Sequence, residues 1–218
     1  MRLTSLLAAS VLFLGLAALA AAPTKNAQAT DYYSGYRWQN SIVKWCFVTH
    51  MPDDWNLQYS RAAVLWSLPS NFLLPRQPDC SNVLAGAGRK SFTAAGLPRI
   101  AALTQTQLLD CLPYCDFNLV RSALTNLNTD LTWSTNLAQG ASMGSNTNPC
   151  SPSCDIQTII LHEFGHWVVL DHGGCGASPK SIMCVDWRVR RCPNLNSHDK
   201  FSVWLIYGGT YNGTAYCY

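Results

Sequence analysis

From Asp155 onward, apolar side chains recur at Ile156, Ile159, Ile160, Phe164 and Val168. That spacing predicts an amphipathic helix with one buried face. Asp155 or Ser153 can cap its first turn, and Gly173-Gly174 closes the segment. A second helix is predicted over Leu57 to Leu68, where Ala62, Val64, Leu65 and Trp66 run unbroken to Pro69, after a Pro52-Asp53-Asp54 turn. A third is predicted from Ser197, a suitable N-cap, to Tyr207. Phe201, Trp204 and Leu205 share a face there, and Gly208-Gly209 is the stop. Val43 to His50, rich in β-formers, reads as an early strand; Asp130 to Thr135 reads as another, and Leu137 to Ala141 as an edge strand. Pro75 to Pro98 reads as a loop-rich excursion followed by a short helix near Gln105 to Cys111. Gly140 to Ser153 is a polar loop leading into the Asp155 helix.

Arg2 followed by an apolar stretch from Leu6 to Ala22 predicts a signal peptide over residues 1–29. Cleavage after Ala29 is preferred, because Pro23 would follow the bond after Ala22. A membrane anchor is the alternative, but the stretch is only just long enough and rich in alanine. Residues 30–218 are enough for one domain with a sizeable core, expected to be an exported monomer, extracellular or periplasmic, with no membrane attachment after cleavage. Without Arg2 and Lys25, 13 basic residues face 12 acidic ones, so no field attracts nucleic acid. All ten cysteines lie beyond residue 29, and an even number in an exported chain points to disulfides whose pairing the sequence leaves open. Metal binding by the Cys111/Cys115 and Cys150/Cys154 pairs is the alternative, but they form no compact four-ligand pattern.

The Asp155 helix carries the candidate chemistry. The only glutamate of the chain, Glu163, stands inside His162-Glu163-Phe164-Gly165-His166, and His172 follows. Residues four apart share a helix face, so His162 and His166 can direct two imidazoles at one ion while Glu163 points into the adjacent cleft. His172 lies too far along for that face, so the chain must turn back to deliver it. Three neutral imidazoles suit a single zinc ion and leave a fourth position for water, with Glu163 as general base. An aspartate third ligand, Asp171 or Asp186, is the alternative; a glutamate is excluded because no second one exists. A Ser-His-Asp hydrolase would need a nucleophile motif that is missing.

These residues resemble a known family. HEFGHWVVLDH is similar to the metzincin signature HExxHxxGxxH, and Phe164, Gly165, Leu170 and Asp171 make it closest to the matrixin form. Ser181-Ile182-Met183 resembles the Met-turn of that family. Leu195, Asp199, Val203, Tyr207 and Gly208 match its C-terminal helix, and Ala62, Ala63, Leu65, Trp66 and Ser67 its first helix. The resemblance implies an α+β fold: a twisted mixed β-sheet with three main helices and a small C-terminal subdomain, stapled here by disulfides. It implies a secreted zinc endopeptidase with His162, His166 and His172 as ligands, Glu163 as base, Met183 in the Met-turn and a protein or peptide substrate. Leu137 and Ala138 would belong to the edge strand that receives the substrate, and Val185 and Trp187 to the wall of the pocket after the cleaved bond. A core role for Trp187 is the alternative.

Four departures stand beside the resemblance. Val169 replaces the glycine where the helix breaks toward the third histidine, and a β-branched residue there is strained if φ is positive. His198 replaces the first of two adjacent aspartates. No histidine set supports a second, structural zinc; calcium, which is not one of these departures, stays open without a motif to support it. Cleavage after Ala29 leaves too little chain for a folded inhibitory segment with a cysteine switch. A non-catalytic secreted binding protein of the same fold and a zinc hydrolase of a non-peptide amide remain as alternative functions.

Overall fold

The computed structural model describes residues 34–93, 96, 100–109, 118–135, 153–172, 181–183 and 194–209. The expected signal peptide, the Leu137–Ala141 strand, Gly173-Gly174, Val185, Asp186 and Trp187 lie outside them. Elements run β1 (Tyr36–Trp38), β2 (Trp45–Phe47), α1 (Asp53–Ser67), β3 (Ala85–Lys90), β4 (Ala102–Leu109), β5 (Asn118–Asn128), β6 (Trp133–Ser134), β7 (Cys154–Asp155), α2 (Ile156–Trp167) and α3 (Ser197–Tyr207). The result is an α+β fold with a mixed sheet and three helices among the described residues, as expected; most of the sheet's pairings are parallel.

β5 is the hub of that sheet. β1 and β3 run parallel to it along one edge, β2 extends the sheet beyond β3, and β4 lies antiparallel along the other edge. β2, α1 and β3 form a parallel crossover, which needs a connection long enough to hold a helix. A pair of short strands, β6 and β7, lies apart from the main sheet.

The sequence reading misplaces several elements. Residues Gln105–Leu109 belong to strand β4, not to a helix, because pairing with β5 outweighs the helix preference of Gln and Leu. Inside the supposed loop from Pro75 to Pro98 lies β3. Its glycines hide it: a Cβ on Gly86 would sit 2.8 Å from Val48 Cγ1, and one on Gly88 2.8 Å from both Asn126 Oδ1 and Val48 Cγ2. A side chain at either position would force those neighbours to shift. Of the Asp130–Thr135 segment only Trp133 and Ser134 are strand; Asp130 instead accepts bonds from Ser91, Phe92 and Thr93.

α1 starts at Asp53, so the expected acidic turn is its first turn, where negative charge favours the helix dipole. α3 is capped by Asn196 rather than Ser197, through a reciprocal capping box with Asp199. Its buried residues are Asp199, Lys200, Ser202 and Val203, whereas Leu205, expected on the packed face, is exposed.

The α2 reading holds. Asp155 caps it through Gln157 N–H at 3.2 Å, and Ile156, Ile159, Ile160, Phe164 and Val168 are all buried. Each such side chain contributes about 1.5–3 kcal/mol on burial. Phe164 and Trp167 meet Trp45 edge-to-face at 5.5 and 5.7 Å, and the Trp66 indole of α1 donates to the Leu161 carbonyl at 2.8 Å. Helix α2 is therefore held against both sheet and α1. Cys46 and Cys80 form a disulfide whose loop closure contributes about 3–4 kcal/mol. No helix among the described residues is long and apolar enough to cross a membrane.

Candidate metal centre

His162 and His166 project from one face of α2, as their spacing requires. His162 Nδ1 lies 2.7 Å from the Ile182 carbonyl, and His166 Nδ1 2.8 Å from the Leu170 carbonyl. A carbonyl only accepts, so both Nδ1 atoms carry the proton and both Nε2 atoms present a bare lone pair. Burial holds the His166 pKa below its usual range, against smaller upward effects of the Leu170 bond and Asp171. The ring stays neutral, the form that binds metals.

The third histidine depends on a reversal. α2 ends at Trp167; Val169 N–H then reaches back to the His166 carbonyl at 3.1 Å and Leu170 N–H to the Gly165 carbonyl at 3.0 Å. Val169 takes φ 64°, so the strained conformation in question at this position is present. Such a residue costs about 1–3 kcal/mol. Opposing that cost are the two backbone bonds, the buried Val169 side chain, and Ser34, whose N–H and Oγ both donate to the Val169 carbonyl at 3.3 and 2.7 Å. The turn thus survives without glycine and brings His172 Nε2 within 3.0 Å of His162 Nε2 and 3.1 Å of His166 Nε2.

The donor set fits a metal ion. A proton on His172 Nε2 could point squarely at only one of the two facing lone pairs, whereas one cation satisfies all three nitrogens. Zinc bonds of about 2.0–2.1 Å in a tetrahedron place nitrogens about 3.3 Å apart, close to the observed separations. All three ligand atoms lie within 4.8 Å of one another. Asp171 is not among them; its Oδ1 accepts the His172 N–H at 2.7 Å.

Residues from the C-terminal part support His162. Asp199, fully buried on α3, accepts Ser181 Oγ at 2.5 Å, Ile182 N–H at 3.1 Å and Asn196 N–H at 3.0 Å. Burial raises its pKa, and these bonds partly offset the rise. They hold the turn whose Ile182 carbonyl orients His162. Met183, also fully buried, packs on Gly165 so tightly that a Cβ there would overlap its sulfur.

Glu163 is nearly buried, and its Oε2 accepts a 2.6 Å bond from Thr104 Oγ1 on β4. Burial pushes its pKa up to about 7, against the lowering effect of the Thr104 bond. Sequence reasoning missed Thr104, since no spacing links it to a carboxylate 59 residues further along the chain.

β4 borders the site. Asn128 N–H donates to the Ala101 carbonyl, and the alternation that follows turns the N–H and C=O groups of Ala102, Thr104 and Thr106 away from β5. Among the described residues nothing pairs with that outer side. The predicted substrate contacts Leu137, Ala138, Val185 and Trp187 fall outside the described residues. No protein-family model matches this chain and no curated protein does.

Proposed function

We propose that this chain is an exported zinc-dependent endopeptidase of metzincin type. The observation that carries the reading is the convergence of three imidazole Nε2 atoms, two of them fixed as lone-pair donors, beside the only glutamate. His162, His166 and His172 would hold zinc, which supplies Lewis-acid polarisation of the scissile carbonyl when bound.

Glu163 acts as general base and then general acid. Its carboxylate takes a proton from the attacking water and returns it to the leaving amine, so no covalent intermediate is needed. The substrate backbone pairs with the outer side of β4 as an added strand, which favours a peptide over another amide. The metzincin assignment draws further support from the antiparallel edge strand beside α2, the Met183 turn under the ligand helix, and the reversal at Val169. The Cys46–Cys80 disulfide suits an oxidising compartment.

The test is cleavage of unfolded casein by the oxidised secreted protein, with zinc content measured, beside Glu163→Gln. We expect one zinc per chain in both proteins and cleavage only with Glu163. A folded protein without zinc would overturn the site, and zinc-loaded protein inert toward casein would overturn the peptidase.

A further inference from the structure

Behind the carboxylate runs a chain of hydrogen bonds that ends in the core. The Trp167 indole N–H donates to Thr125 Oγ1 at 2.8 Å, Thr125 Oγ1 lies 2.5 Å from Thr104 Oγ1, and Thr104 Oγ1 donates to Glu163 Oε2 at 2.6 Å. An indole nitrogen only donates and an ionised carboxylate only accepts. The two ends therefore fix every proton between them: Trp167 to Thr125, Thr125 to Thr104, Thr104 to Glu163. Reversing the direction would leave the hydroxyl proton of Thr125 without an acceptor in this chain.

The relay is held by three packed elements: Trp167 and Glu163 on α2, Thr125 on β5 and Thr104 on β4. Trp167 and Thr125 are fully buried, on α2 and β5. Thr104 and Thr125 are directly opposite in the β4–β5 register, at a position whose backbone groups on β4 face outward. Such pairs bring side chains closest. Among the described residues no hydrogen bond occupies Glu163 Oε1.

We infer that Thr104 is a positioning residue for Glu163: its hydroxyl, oriented by Thr125 and Trp167, fixes Oε2 and leaves Oε1 as the working oxygen. The catalytic part of this inference rests on the peptidase reading; the placement of the carboxylate does not. The same strand thus binds substrate backbone with its outer groups and sets the base with a side chain.

Two measurements test it on the zinc-loaded secreted protein. In casein or peptide cleavage, Thr104→Val should lower kcat about 10- to 100-fold, the loss expected for one hydrogen bond to a charged group. KM and zinc content should stay unchanged, Thr104→Ser should recover most of the activity, and Thr125→Val should fall between. Wild-type kcat in Thr104→Val would overturn the inference, as would a Thr104→Ser variant as impaired as Thr104→Val. So would KM and zinc changing together with kcat, the mark of general disruption.

The second readout needs no activity. Because Glu163 is the only glutamate, incorporating δ-carboxyl 13C-glutamate by cell-free synthesis yields one glutamate carboxyl resonance. It should move in Thr104→Val and stay near wild type in Thr104→Ser. An unmoved resonance in Thr104→Val refutes the placement even if the protein cleaves nothing, so this failure is distinguishable from failure of the peptidase reading.

Discussion

Gly165→Ala is the most informative single substitution in the ligand helix, because two effects of known size oppose each other there. In an exposed helix interior the change would stabilise by about 1 kcal/mol, since glycine loses more backbone entropy on folding. At Gly165 the new Cβ would overlap Met183 Sδ and approach Met183 Cε and Trp66 Cζ2 to 3.0 Å. Neither neighbour has room: both are fully buried, and the Trp66 indole is tied to the Leu161 carbonyl. Overpacking of this kind costs about 1–3 kcal/mol, so the clash wins and the variant is less stable. Met183 follows Ile182, whose carbonyl orients His162, so zinc affinity should fall about tenfold as well. Denaturant unfolding of four proteins closes a double-mutant cycle. Met183→Ala alone costs about 2–5 kcal/mol through the cavity it leaves, but in that background Gly165→Ala should become neutral or stabilising. A Gly165→Ala protein as stable as wild type, or a penalty unchanged in the Met183→Ala background, would refute the packing argument.

Two further outcomes follow from the site. Val169→Gly relieves about 1–3 kcal/mol of left-handed strain but forfeits about 1.5–3 kcal/mol of side-chain burial and adds glycine's chain entropy. We expect a net loss of about 1 kcal/mol in thermal or chemical unfolding with zinc retained; a clear gain would show that burial does not hold this turn. In the zinc-free protein, Glu163 has a folded pKa of about 7, above its ordinary 4.5. The folded state keeps that proton longer than the unfolded chain, so this group favours folding less as pH rises from about 4.5 through 7, by on the order of 3 kcal/mol. Unfolding curves of wild type and Glu163→Gln across that range should differ by this slope, and equal slopes would refute the burial of the carboxylate.

The sequence by itself determined the parts of the site that are local. A helical period placed His162, Glu163 and His166 on α2 with its buried face, the Asp155 cap followed from side-chain chemistry at the helix start, and a reversal before His172 was required by distance along the chain. The possible strain at Val169 was also visible, because a β-branched residue meets steric limits wherever φ is positive. What holds that strain was not: Ser34, which grips the Val169 carbonyl, lies 135 residues away. The same holds for the sheet. β3 is glycine-rich because neighbouring side chains crowd it, and β4 is a strand because β5 pairs with it, so neither follows from its own propensity. Only the tertiary structure brought Thr104 to Glu163 across 59 residues and Thr125 to Trp167 across 42. Helix periodicity and capping act between residues a few positions apart, whereas strand pairing and a buried hydrogen-bond relay depend on which distant segments the packed core makes neighbours.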